Sequence, residues 1–180
     1  MKEIERLIVR APLGETVGTL TADGQMFKCA LGRSGLVPDK REGDGGTPVG
    51  VFPLRKLYYR ADSEPEISTI LRSYPIKPGQ YWCDDPSDSI HYNQFINNEI
   101  SARTEKMWRD DHLYDLVVTL GYNDNPPIPG LGSAIFFHLA HEDYRPTEGC
   151  VAIARSDMKA LLPRLSARTV IDIAESRSTN

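Results

Sequence analysis

Residues 133–155, SAIFFHLAHEDYRPTEGCVAIAR, decide how this chain is read. The apolar run Ala134-Ile135-Phe136-Phe137 leads straight into His138. After a loop holding Pro146 and Gly149, Cys150 opens a second run, Val151-Ala152-Ile153-Ala154. Short apolar runs of β-forming residues bounded by Pro and Gly read as buried strands joined by a polar loop. Each strand carries one reactive side chain at the same end of that connection, so pairing would bring an imidazole to a thiol across the loop mouth. That is a nucleophile with its base. A cysteine of ordinary pKa, about 8.5, is mostly protonated at neutral pH, and a neighbouring imidazole removes that handicap. Gly149 lets the backbone turn tightly, aiming its own N–H and that of Cys150 at a developing oxyanion. The plainer reading makes Cys150 a small buried hydrophobe and His138 a hydrogen-bonded histidine at a strand end.

Working outward, 180 residues suit one domain spanning 1–180 with an adequate core. No apolar run approaches the roughly 20 residues of a membrane-spanning helix. The opening Met-Lys-Glu-Ile-Glu-Arg-Leu-Ile-Val-Arg interleaves charges with apolar residues and reads as a strand, without the apolar core of a signal peptide. A net charge of −4 without a basic cluster argues against a nucleic-acid partner. Three cysteines cannot all pair: either all are thiols, or Cys29 and Cys83 pair and leave Cys150 free.

Strands are expected at residues 4–10, 16–21 and 25–31, with Asp23-Gly24 as a hairpin turn, followed by a long turn with six glycines and two prolines at 32–50. That turn has neither the Lys-Ser/Thr nor the following helix of a phosphate-binding loop. A strand at 50–58 precedes a polar excursion at 61–99, either a lid or groove wall beside Cys150 or a cover over a sheet edge, with His91 on its surface. Residues 101–109 predict a short helix capped by Ser101 or Thr104. Residues 113–122 predict a central strand, and Asn123–Gly130 a stiff proline-rich connection to a strand at 134–139. A helix beginning at Ser156-Asp157 presents Met158, Leu161, Leu162 and Leu165 on one face and ends or kinks at Pro163. A strand at 169–173 and a frayed tail at 175–180 complete a mainly β chain with minor α.

Thr147-Glu148-Gly149-Cys150-Val151 resembles the Ser/Thr-His-Gly-Cys-Ile/Val signature of the L,D-transpeptidase (YkuD) catalytic domain, with His138 in the place of the family's upstream histidine. Residues 32–54, GRSGLVPDKREGDGGTPVGVFPL, resemble its Gly-x-x-Gly segment followed by Lys-x-x-Gly-Asp-Gly-x-Thr-Pro-x-Gly-x-Phe. Trp82-Cys83-Asp84-Asp85-Pro86 and Gly121-Tyr122-Asn123 agree. Two positions depart: Glu148 stands where the signature has histidine, and Ala152 where Arg or Asn is frequent, as in a divergent subgroup of proteobacterial type. The resemblance implies a β-sandwich or barrel of mixed sheets with a helix packed on the sheet. It implies catalysis by Cys150, His138 and the Gly149 backbone, and substrate contacts from Trp82, Tyr122, Leu139, Thr147 and Glu148, with no metal and no cofactor. Donor and acceptor would be peptidoglycan stem peptides, joined through a thioester on Cys150, by a monomer working in the cell envelope; the absent signal leaves the cytoplasm open. A carbapenem, which mimics the acyl donor of this family, would add to the same thiol.

Three other readings compete. Water in place of an acceptor amine would make the site a carboxypeptidase or amidase. A metal site would need His138, His141, Glu142 and Cys150, but strand geometry throws His138 and His141 to opposite faces. A catalytically silent peptidoglycan-binding domain would keep the fold without a reactive thiol.

Overall fold

The computed structural model describes residues 2–176. Alternating burial sets its first three strands, β1 (Arg6–Ala11), β2 (Val17–Ala22) and β3 (Gln25–Ala30). Asp23 and Gly24 between β2 and β3 both take positive φ, 47° and 81°, the two-residue turn whose twist matches the flanking strands. The glycine-rich stretch carries two short parallel strands, β4 (Leu36–Val37) and β5 (Thr47–Pro48), and leads into the long β6 (Gly50–Tyr59). Then follow β7 (Ser73–Pro75), β8 (Tyr81–Cys83), β9 (Phe95–Ile96), β10 (Thr104–Lys106), β11 (Leu116–Leu120), β12 (Phe136–Leu139) and β13 (Val151–Ile153). Helix α1 (Arg155–Leu161) and β14 (Val170–Glu175) complete the chain. Of the tail expected at 175–180, Glu175 closes β14 and the Ser176 N–H donates to Ala11 O at 2.9 Å; residues 177–180 lie outside the described residues.

Eight strands close into a barrel in the order β1, β2, β3, β13, β12, β11, β6, β14, with β1–β14 and β12–β13 parallel and the other pairings antiparallel. The long β6 makes closure possible. Its first half pairs with β14, while from Leu54 onward its other edge takes β11. Leu7, Val9, Leu20, Leu54, Val118, Phe137, Val151 and Ile171 fill the interior. Each fully buried side chain of this size favours folding by about 1.5–3 kcal/mol. Met158, Leu161, Leu162 and Leu165 join the same core, so α1 packs on the sheet, and the α-helix stops at Leu161 where a 3₁₀ turn containing Pro163 takes over. It begins one residue before the expected Ser156, at Arg155, without a side-chain cap.

Residues 61–112 leave the barrel and return to it. They supply β7, which extends the sheet beyond β6, and a small sheet of order β10-β8-β9. The helix predicted at 101–109 is instead β10, with Thr104, Glu105 and Lys106 opposite Cys83, Trp82 and Tyr81. Pairing with a distant strand overrides the local cap pattern, and it buries Met107 completely. Buried Glu64 ties the start of the excursion to α1 by accepting from Arg155 and, at 2.8 Å, from Lys159. A second apolar cluster fills the space between excursion and barrel, built from Tyr58, Ile76, Met107, Tyr114, Val117 and Phe136.

Candidate active site

Because β12 and β13 run parallel, His138 lies opposite Ala152 and Phe137 opposite Val151. Side chains alternate, so Phe137, Leu139, Val151 and Ile153 point into the barrel while Phe136, His138, Cys150 and Ala152 share its outer face. The two strands pair, as the meeting of imidazole and thiol required, and they do so in parallel. The chain doubles back through residues 140–149, which brings both groups onto one face and into one cleft. The excursion roofs that face, leaving His138 4% and Cys150 6% exposed.

The Cys150 thiol donates to Ala134 O at 3.2 Å and accepts from the Phe136 N–H at 3.3 Å. Its holder is itself held: the Ala134 N–H donates to Asn93 Oδ1 at 3.0 Å, and Trp82 Nε1 donates to the same oxygen at 3.0 Å. Burial first, and the carboxylate of Glu105 second, push the thiol pKa up to about 12. His138 Nδ1 lies 2.9 Å from Leu139 O, so Nδ1 carries the hydrogen and the neutral ring keeps Nε2 as its acceptor. The edge of Tyr114 meets the ring at 5.1 Å between centroids and 77°. Burial lowers the His138 pKa to about 4. At neutral pH the cleft therefore holds a protonated thiol and an uncharged imidazole.

Both groups line a cleft of about 350 Å³. Its excursion wall is charged: Tyr114 Oη donates to Glu105 Oε1 at 2.6 Å, Arg109 meets the same oxygen at 3.3 Å, and Arg103 lies 3.2 Å from Asp84. Burial raises the Glu105 pKa above its ordinary value. From the glycine-rich stretch Lys40 pairs with Asp44, while Ser133 Oγ donates to Glu42 at 2.7 Å. None of these residues stood out in the sequence as a cleft group. Lys40 and Asp44 sat within the family-like segment, and Tyr114 within the strand expected at 113–122.

The loop before the thiol is stitched to the glycine-rich stretch. The Thr147 N–H donates to Leu31 O and the Arg33 N–H to Thr147 O, each at 2.8 Å. Thr147 Oγ1 donates to Cys150 O at 2.8 Å and accepts from the Gly149 N–H at 3.1 Å. The N–H of Gly149, expected to face an oxyanion, is thus committed inside the loop, and the hydroxyl of Thr147 holds the backbone of Cys150. Gly149 has φ +139°, and a Cβ there would lie 2.8 Å from Gly46 O. Gly149→Ala is expected to cost about 1–3 kcal/mol of stability and to slow acylation by displacing Cys150. Urea unfolding beside an acylation assay checks this; unchanged values in both would show that the Gly46 backbone yields freely.

The remaining expected contacts scatter. Trp82 and Tyr122 line a separate groove of about 330 Å³, where Trp82 packs edge-on behind Phe136 at 5.0 Å and Tyr122 Oη is bonded to Leu131 O. Leu139 turns its side chain into the barrel core, and its carbonyl orients His138. Glu148 points outward, 80% exposed, and pairs with Arg33 at 2.8 Å. All three cysteines are free thiols. His141 Nδ1 accepts from Arg145 at 3.0 Å, and among the described residues no cluster of three or more His, Cys, Asp or Glu is arranged to hold a metal.

The family model for the L,D-transpeptidase catalytic domain, YkuD, matches residues 9–173, from within β1 to within β14. No curated protein and no solved structure gives a significant match. The barrel, the cleft and a match over nearly the whole chain lead to one assignment: this chain belongs to the YkuD family of L,D-transpeptidase catalytic domains.

Proposed function

We propose that the protein is a cysteine-dependent L,D-transpeptidase of peptidoglycan stem peptides. The observation that carries the proposal is the arrangement on the outer barrel face: a buried thiol and a neutral imidazole, its Nδ1 held by Leu139 O, line one cleft. In the first half-reaction Cys150 Sγ attacks the donor carbonyl as its proton passes to His138 Nε2. The backbone N–H of Cys150 stabilises the oxyanion. The C–N bond then breaks, the leaving amine takes the proton from the imidazolium, and the acyl group remains as a thioester. In the second, an acceptor amine attacks the thioester and gives a proton to His138, which returns it to the departing sulfur. Water in the acceptor's place gives hydrolysis by the same steps. Such a substrate sets the work in the cell envelope. Among the described residues no helix is long and apolar enough to cross a membrane.

The test is incubation with purified stem peptides, with and without an amine acceptor, followed by mass spectrometry of enzyme and products. A donor-derived mass on Cys150 and a crosslinked product are expected; unmodified enzyme with unchanged peptides would sink the proposal. Glu148 bears on the second half-reaction. It stands at the cleft rim, directed at Arg33, so its carboxylate is available to an incoming ammonium rather than to the sulfur. Glu148→Gln is expected to leave acylation at its wild-type rate while lowering the ratio of transfer to hydrolysis. An exposed ion pair contributes only about 0–1 kcal/mol, so the fold should survive its loss. A large fall in acylation itself, with both fates of the thioester affected equally, would place Glu148 in thiol activation instead.

A further inference from the structure

Four cationic side chains line the thiol cleft: Lys40, Arg103, Arg109 and Arg145. Three are already neutralised. Lys40 is paired with Asp44, Arg103 with Asp84 at 3.2 Å and Glu42 at 3.8 Å, and Arg109 with Glu105 at 3.3 Å and with Asp111. Arg145 differs. Among the described residues its guanidinium has no carboxylate partner; Nη2 donates to the Nδ1 of His141 at 3.0 Å, an uncharged acceptor. Its backbone is fixed nonetheless. The N–H donates to Asp143 Oδ1 at 3.1 Å, Pro146 follows, and Tyr144 before it holds φ at 56° with its ring beneath the Lys28 ammonium at 4.5 Å. Ala152, on the same cleft wall, offers only a methyl group.

A guanidinium presents a planar fork of donors that matches a carboxylate, and a cation left without its own acid in an otherwise balanced site is suited to one brought by a ligand. Glu42, Asp84, Glu105 and Glu148 line the same cleft, each paired with a cation of the protein, so among the described lining residues Arg145 is the charge left for a ligand. We propose that Arg145 anchors a free carboxylate of the donor peptide, borne close to the carbonyl that Cys150 attacks, and so selects donors in which that carboxylate is unmodified. This rests on the acyl-transfer reading above and adds the donor feature that the cleft recognises.

The experiment compares the wild-type protein, Arg145→Gln and Arg145→Lys against two synthetic stem tetrapeptides, one with free side-chain carboxylates and one with those carboxylates amidated. The readout is kcat/KM for acylation of Cys150, followed by mass spectrometry. With the free-carboxylate donor, Arg145→Gln is expected to lose about 10- to 100-fold, the range of a charge-assisted hydrogen bond, and Arg145→Lys to lose less. With the amidated donor the wild-type protein is expected to fall to the level of Arg145→Gln, whose own rates on the two donors converge. Equal losses on both donors, or no loss on either, would overturn the anchoring role while leaving acyl transfer intact. Failure of the wild-type protein to be acylated by either donor would overturn both.

Discussion

Replacing Cys150 with alanine is expected to abolish turnover, whereas Cys29→Ala and Cys83→Ala leave the chemistry largely intact. The contrast follows from placement. Cys29 lies in the barrel core, where burial pushes its thiol up to about 12, and it has no access to the cleft. Cys83 is buried within the small sheet, on β8, where desolvation, and secondarily the nearby aspartates, raise it. Cys150 is buried too, but it lines the cleft that His138 also lines. The thiol's high resting pKa does not weaken the assignment, because the proton leaves during attack and a free thiolate is never required. A carbapenem adduct should accordingly appear on Cys150 alone. Retained turnover in a folded Cys150→Ala protein, or an adduct on Cys29 or Cys83, would refute the assignment.

His138→Ala is expected to lower the acylation rate by roughly 10²–10⁴-fold, the range of a general base, with His141→Ala much milder because that ring serves Arg145 in the loop. Two pH experiments separate a base from a merely packed histidine. Since burial holds His138 near a pKa of about 4, its ring stays neutral down to that pH, and the acid limb of kcat/KM should fall near 4 rather than near the ordinary 6.5. An acid limb at 6 to 7 would mean that the ring titrates in the open and is not held as described. The same burial affects folding. The unfolded chain protonates this histidine near 6.5 while the folded one resists until about 4, so the neutral ring's contribution is complete above 6.5 and is lost as pH falls toward 4. That amounts to about 3 kcal/mol across the window, and His138→Gln should flatten the decline in urea-derived stability between those limits.

Local chemistry made much of this legible. Alternation and the Asp23-Gly24 turn located β1 to β3, and the apolar runs on either side of His138 and Cys150 located β12 and β13. What was not legible depends on partners far along the chain. Whether β12 and β13 run parallel cannot be read from two apolar tetrads, because burial on both faces erases the alternation that carries register. Residues 101–109 carry cap-forming Ser101 and Thr104, but Thr104–Lys106 find hydrogen-bond partners at Tyr81–Cys83 some twenty residues earlier. The cleft shows the same limit. Glu105 and Tyr114 are ordinary in sequence, and only the fold of the excursion sets them beside His138. The family-like motifs pointed to Trp82 and Tyr122; the former supports Ala134, whose carbonyl accepts from the thiol, through Asn93, and the latter packs on Phe52.

Closure of the barrel through β6 and β11 also governs how a peptide can be read. Many peptide-binding domains add their ligand as one more strand along a free sheet edge, gaining affinity from main-chain hydrogen bonds that ignore side-chain identity. Here the strands that carry His138 and lead from Cys150 are paired on both sides, β12 between β11 and β13, and β13 between β12 and β3. The free edge of the large sheet belongs to β7, three residues long and ended by Pro75, which cannot donate to a ladder. Neither strand beside the thiol and imidazole therefore offers a free backbone edge. A donor of the proposed kind would be held there by side chains and not as an added strand of β12 or β13, so alternating configuration or branched amide linkages, which make poor strands, would carry no penalty from the large sheet.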